Sequence, residues 1–314
     1  MRRGGRTRHV RVRPGRGRVA GATAAGALLL AACTGTSSPP PDPEQPSGQA
    51  EVVRVVAVGD IACPPAATVT RVTCQQQATG DLARQLDPDH LVVLGDLQYP
   101  RATRANLAAY DAAYGDLRPI TRPVPGNHEY AADDAAPYFE YFGQQPPGYG
   151  RFDAGDWRFY LLDTNCGFVD CLAQEEWLAS ELAADRGRRC SAVAMHHPRF
   201  SSGSVHGSDP SMDGFWTTAA QGGVDVVLAG HEHGYERLAP LGPAGHRVPA
   251  GVTSFVVGTG GRSLYPLADR LPASEYAQDT EFGVLELELS ASDFSWAFHG
   301  LDGMVRDQGS APCR

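Results

Sequence analysis

Oxygen and imidazole donors gather at four points of this 314-residue chain, each beside a glycine: Gly59-Asp60, Gly95-Asp96-Leu97-Gln98-Tyr99, Gly126-Asn127-His128-Glu129 and Gly230-His231-Glu232-His233. A further imidazole, His196, follows the apolar run Ala192–Met195. Carboxylate, amide oxygen and imidazole are the donors that hard and borderline metal ions accept while also holding phosphate oxygens. One Gly-Asp or Gly-Asn alone is an ordinary turn; the signal lies in the set. Asparagine seldom binds a metal except alongside a bridging carboxylate. His231 and His233, two residues apart, project to the same side of an extended segment. The set is large enough for two metal ions, and metal-assisted chemistry on a phosphate ester is the leading reading.

Something rigid must hold these donors together. Three of the four segments directly follow strand-like apolar runs, Val52–Val58, Leu91–Leu94 and Val224–Ala229. Helical spacing occupies Gln76–Leu86, Arg104–Leu117 and Leu172–Ala184, and Trp157–Leu162 reads as another strand. The last third is strand-like at Thr253–Val257, Phe282–Leu289 and Ser292–Phe298, with no long helix between. A βαβ-type first part and a strand-rich end predict an α/β sandwich in one domain over residues 51–314. Stretches 143–150, 200–215 and 262–280 read as surface excursions near the strand ends, where α/β folds place their sites. Gly258-Thr259-Gly260-Gly261 lacks the context of a nucleotide-binding loop and reads as a tight turn passing near the site.

The first 50 residues are of another kind. Residues 2–18 carry eight arginines and no acid, Val19–Ala32 is short and apolar, and Leu30-Ala31-Ala32-Cys33 closes it. This is the pattern of a secretory signal over residues 1–32, too short for a comfortable membrane span. Leu-Ala-Ala-Cys resembles the bacterial lipobox, which implies a lipid on Cys33, membrane anchoring and a cell-surface location. Residues 34–50, rich in Ser, Thr, Pro, Gly and Gln, read as a disordered tether. The chain has a formal net charge of −9, and without those eight arginines 19 basic residues face 36 acidic ones. That balance argues against general nucleic-acid binding. It has no lysine at all. Six cysteines remain beside Cys33, an even number suggesting disulfides outside the cytosol. Sequence proximity favours Cys63–Cys74 and Cys166–Cys171, leaving Cys190 for Cys313; no Cys-x-x-Cys pair supports a thiolate metal site.

These donors, in this order, resemble the calcineurin-like metallophosphoesterases and more narrowly the purple acid phosphatases. Asp96-x-x-Tyr99, Val193-x-x-His196 and Gly230-His231-Glu232-His233-Gly234-Tyr235-Glu236-Arg237 carry the narrower resemblance. It implies a four-layer α-β-β-α sandwich with two mixed sheets face to face, helices outside and a dinuclear centre at the strand ends. It also implies that Asp60, Asp96, Tyr99 and His233 bind iron(III). Asp96 then bridges to Fe, Zn or Mn held by Asn127, His196 and His231. Many superfamily members place a histidine ligand two residues after the first aspartate; here that position is Ala62, which cannot coordinate. The tyrosine takes up that duty in the narrower pattern.

Two metals about 3.5–4 Å apart can hold a phosphate and lower the pKa of a bridging water. The resemblance implies attack by that hydroxide on a small phosphate ester. The transition state then needs a proton for the leaving group, and His128 and His206 are the candidates to supply it. His197 reads as structural and Glu129 as a partner orienting His128; Arg237 stays open between a phosphate clamp and a salt bridge supporting the ligand loop, and is left out of the catalytic set. Monoester hydrolysis leads; diester hydrolysis of nucleotides, glycerophosphodiesters or cell-wall polymers is the alternative, since the same metals support both. A binding lipoprotein without activity is the third reading. The oligomeric state is not legible.

Overall fold

The computed structural model describes residues 52–185 and 190–314, which belong to the unit Gly48–Arg314. The expected leader, Cys33 with its lipid and the tether lie outside the described residues. Among the described residues no helix is long and apolar enough to cross a membrane.

The elements run β1 Val53–Val58, α1 Gln76–Gln85, β2 His90–Leu94, α2 Leu107–Tyr114, β3 Thr121–Val124, α3 Asn127–Tyr130, α4 Ala136–Phe142, β4 Gly150–Ala154, β5 Trp157–Leu161, α5 Cys171–Ala184 and β6 Cys190–Ala194. They continue with α6 Asp213–Gly222, β7 Val226–Ala229, β8 Tyr235–Leu241, β9 Val252–Val257, β10 Ser274–Gln278, β11 Gly283–Leu289, β12 Asp293–Gly300 and β13 Val305–Pro312. One sheet has the order β13-β12-β11-β1-β2-β3 and the other β10-β8-β9-β7-β6-β5-β4. Both are mixed. Strands β1, β2 and β3 are mutually parallel, as are β5, β6, β7 and β9; the other pairings are antiparallel.

The two-residue period of a strand sorts each side chain into a layer. From β1, Val53, Val55 and Ala57 join Trp157, Phe159, Phe255, Leu285 and Phe298 in the core between the sheets. The alternate residues Val56 and Val58 face outward onto Leu82, Ala83, Tyr110 and Tyr114 of α1 and α2. On the other sheet Val193 and Val227 face outward onto Leu178 and Leu182 of α5 and Phe215 and Trp216 of α6. Central strands buried on both faces read as continuous apolar runs, which is why these are legible. The result is the expected four-layer sandwich.

Disulfides join Cys63–Cys74, Cys166–Cys171 and Cys190–Cys313, each with Cα atoms 5.3 Å apart, so the three pairings favoured by proximity all form. One expected helix is shorter than its spacing suggested. The helix expected over Arg104–Leu117 is α helix only over Leu107–Tyr114, then tightens into a 3-10 segment, Gly115–Ile120, that contains Pro119. Proline has no amide hydrogen to continue the α ladder.

Candidate metal centre

Every candidate ligand sits just beyond a strand end or in the loop that follows it. Asp60 follows β1, Asp96 follows β2, Asn127 follows β3, His196 follows β6, and His231 and His233 lie between β7 and β8. The two sheets meet here: Gly59 N donates to Val257 O at 2.9 Å, joining the end of β1 to the end of β9. Asp60, Asp96 and His231 adopt left-handed backbone with φ of 61°, 51° and 69°. Non-glycine residues are strained there, by about 1–3 kcal/mol each. Glycines let the backbones close in. A Cβ at Gly126 would collide with Asp96 Oδ1, and one at Gly230 would lie 2.8 Å from Asp60 Oδ2.

The donors converge in two groups. Tyr99 Oη lies 2.8 Å from each of Asp60 Oδ1, Asp96 Oδ2 and His233 Nε2. His196 Nε2 lies 3.2 Å from Asn127 Oδ1, 3.1 Å from His231 Nδ1 and 3.4 Å from Asp96 Oδ2. Asp96 Oδ2 is therefore common to both groups. All of Asp60, Asp96, Tyr99, His196 and His233 are buried. One phenol hydrogen satisfies only one of three acceptors, so this packing of lone pairs fits cations. Among the described residues, Asp60, Asp96 and His196 form one metal-sized cluster and His196, His197 and His231 another.

The surroundings fix which atoms face inward. His196 Nδ1 donates to Leu94 O at 2.7 Å, and His233 Nδ1 donates to Ser263 O at 3.0 Å. Each ring thereby turns its Nε2 lone pair toward the centre, the usual support of a ligating histidine. Burial opposes protonation of His196, yet the adjacent Asp96 carboxylate holds its pKa up at about 9. Burial likewise resists ionisation of Asp96, but the His196 and His128 imidazoles hold its carboxyl below the usual range. Burial and the Asp60 and Asp96 carboxylates push the Tyr99 phenol well above its ordinary range.

The two candidate proton donors each lie against a ligand candidate. His128 donates from Nδ1 to Pro100 O at 2.6 Å, leaving Nε2 3.8 Å from Asp96 Oδ2, and its ring lies 4.1 Å from that of Tyr99. The His206 ring stacks on His231 at 4.0 Å, and burial lowers its pKa. His197 donates to or accepts from Thr164 Oγ1 at 2.7 Å, consistent with a structural role, although its ring also lies 4.5 Å from His231.

Glu129 does something other than expected. Its carboxylate accepts from Asp96 N at 2.8 Å, Leu97 N at 3.0 Å and Gly126 N at 2.7 Å, and no bond to the His128 ring is present. It joins the two ligand loops by their backbones. Sequence reading also missed Ser263 and Tyr265; the Tyr265 ring lies flat on His233 at 3.9 Å. Their sequence, Arg262-Ser263-Leu264-Tyr265, carries no signal of its own. The remaining residues of the last motif hold loops: Glu232 Oε2 accepts from His206 N at 2.7 Å and Gly207 N at 2.9 Å. Glu236 accepts from Ser202 N at 2.7 Å. Arg237 pairs with Asp307 at 2.8 Å and with Glu275, which is the salt-bridge alternative of the two left open. Gly258 and Gly260 are packed against Asp60 and Gly59, as a tight turn beside the site requires.

A family model described as calcineurin-like phosphoesterase matches residues 53–235. The chain belongs to that family. The phosphoesterase chain is 27% identical over 238 residues to purple acid phosphatase 23 of Arabidopsis thaliana, covering 62% of this chain and 49% of that one. It is 24% identical over 289 residues to a probable inactive purple acid phosphatase 1 of the same plant, covering 76% and 46%. It thus spans about half the length of the curated relatives it matches. Among solved structures, a purple acid phosphatase from yellow lupin (Lupinus luteus) seeds superposes with a TM-score of 0.70 at 20% identity, over 83% of this chain and 54% of that one. That likeness extends the shared fold to both sheets.

Proposed function

We propose that this phosphoesterase hydrolyses phosphate monoesters outside the cytoplasm, using two metal ions at the strand ends. Asp60, Asp96, Tyr99 and His233 would hold iron(III); Asp96, Asn127, His196 and His231 would hold Fe, Zn or Mn. The observation that carries this reading is the convergence of Asp60, Asp96 and His233 at 2.8 Å on one buried phenol oxygen. Such a pair, when bound, neutralises phosphate charge and acidifies water.

The chain's own residues supply the rest. His196 and His233 are held in one tautomer by Leu94 O and Ser263 O. His128, anchored through Nδ1, keeps Nε2 for a proton and delivers it to the leaving-group oxygen. His206, neutral and stacked on His231, faces the same space and orients the ester. Residues 1–32 act as the leader, Cys33 carries the lipid, and 51–314 form the catalytic domain. Three disulfides support an oxidising compartment.

The test compares hydrolysis of a matched aryl phosphate monoester and diester by the metal-reconstituted full chain, with His196→Ala as the blank. Faster monoester turnover, lost in the variant, is the expected result. Diester preference would overturn the monoester reading, and turnover unchanged in His196→Ala would overturn the site.

A further inference from the structure

The segment Arg262–Tyr265 lies against the Tyr99 side of the centre, and the proposed hydrolysis leaves one of its side chains unused. Its backbone is pinned at both ends: Arg262 N donates to Asp60 O at 3.1 Å, and Tyr265 N donates to His233 O at 2.8 Å. Thr73, next to the Cys63–Cys74 disulfide, bridges to Ser263, so the closed loop backs this segment. The Arg262 guanidinium then lies 5.4 Å from the centre of the Tyr99 ring. The hydrogen bond its side chain makes among the described residues is a long one, 3.9 Å to Cys63 Sγ. No carboxylate among the described residues pairs with it. Arg237, by contrast, is fully engaged by Asp307 and Glu275.

Two more arginines lie on segments that adjoin Arg262–Tyr265, one on the loop that Thr73 ties to Ser263 and one just after Tyr99-Pro100. Arg71 is exposed at the tip of the disulfide-closed loop, where Thr70 and Thr73 bond each other. Arg101 is exposed just after Pro100, whose carbonyl accepts a hydrogen bond from His128 Nδ1. Neither has a carboxylate partner among the described residues. Among the described residues none of the three guanidinium groups has a carboxylate partner, in a chain with 36 acidic and 27 basic residues. Tyr265 lies flat on His233, with its ring 5.7 Å from that of His206.

We infer that Arg262 is a specificity-determining anion site, binding a second phosphoryl group on a substrate whose first occupies the metal centre. The planar fork of a guanidinium matches two phosphate oxygens at once. The favoured substrates are esters or anhydrides bearing two phosphoryl groups. Naming them as substrates rests on the hydrolysis proposed above; the anion site itself does not.

The test is calorimetric binding of pyrophosphate and orthophosphate to the metal-reconstituted full chain. Arg262→Gln should weaken pyrophosphate by about 10- to 100-fold, the worth of a charged hydrogen-bonded pair, and orthophosphate by no more than about threefold. Arg262→Lys should recover part of the loss. Equal losses for both anions, as a purely structural or Tyr99-directed role would give, overturn the inference, and so does no loss. Should Arg262→Gln fail to fold, the wild type decides by salt titration: pyrophosphate binding must fall more steeply with salt than orthophosphate binding. Equal slopes refute it. Absence of turnover on every ester, with selective pyrophosphate binding intact, would sink the hydrolysis reading alone.

Discussion

Replacing Glu129 by alanine is the sharpest probe of how the centre is built. The carboxylate is fully buried and accepts three backbone N–H groups, from Asp96, Leu97 and Gly126. Truncation leaves three buried donors without partners, each costing about 1–3 kcal/mol. Allowing for partial relaxation and water entry, the sum is about 3–6 kcal/mol. For a domain of this size that lowers the melting temperature by about 6–20 °C. The assay is a thermal melt of the chelator-treated full chain, so that bound metal does not mask the loss. Glu129→Gln should fall between, because one amide oxygen still accepts while its N–H₂ faces a donor. A melt of Glu129→Ala within about 2 °C of wild type would refute the reasoning. It would mean the Asp96 and Asn127 loops hold their places without this bond.

Three further outcomes follow. With iron(III) bound, the protein should show a visible phenolate-to-metal band that Tyr99→Phe abolishes; a band unchanged in that variant refutes the ligand assignment. Disulfide removal should follow loop length: with a sequence separation of 123, Cys190–Cys313 should contribute about 5 kcal/mol and Cys166–Cys171, with a separation of 5, about 2 kcal/mol. The melts of the two double-alanine variants check that order, and the reverse order contradicts it. His90 is half-buried, with its ring 5.0 Å from Phe152, and burial and Arg122 hold its pKa below 6.5. The unfolded chain therefore gains a proton first as pH falls through that value, drawing stability down on the acid side. The melting advantage of wild type over His90→Phe should shrink between about pH 7.5 and 5.5; a constant difference contradicts the account.

What could be read in advance follows from the physics of each element. Strands β1, β2 and β7 are apolar on both faces and end at a glycine before a donor, so runs and motifs reinforce each other. Strand β3, Thr-Arg-Pro-Val, escaped notice because it is short and contains Pro123, tolerable only because it is an edge strand. Edge strands β4 and β13, Gly150–Ala154 and Val305–Pro312, are polar and half-solvated, with no pattern to separate them from loops. Helix α6 hides partly in a stretch read as a surface excursion. Seven ligand candidates were legible because metal chemistry restricts residue type. Glu129 was legible as a residue but not as a role, since its partners are backbone amides on another loop. Arg262 and Tyr265 come beside the site only where the end of β9 meets the end of β1.

The central claim is that one shared carboxylate joins two metal sites and makes them hydrolytic. Metal stoichiometry and monoester turnover of the full chain, measured together for wild type and Asp96→Asn, test it most directly. The account predicts two metals per chain and turnover in wild type, with both lost together in the variant. Two metals and full turnover in Asp96→Asn, or turnover by wild type stripped of metal, would contradict it.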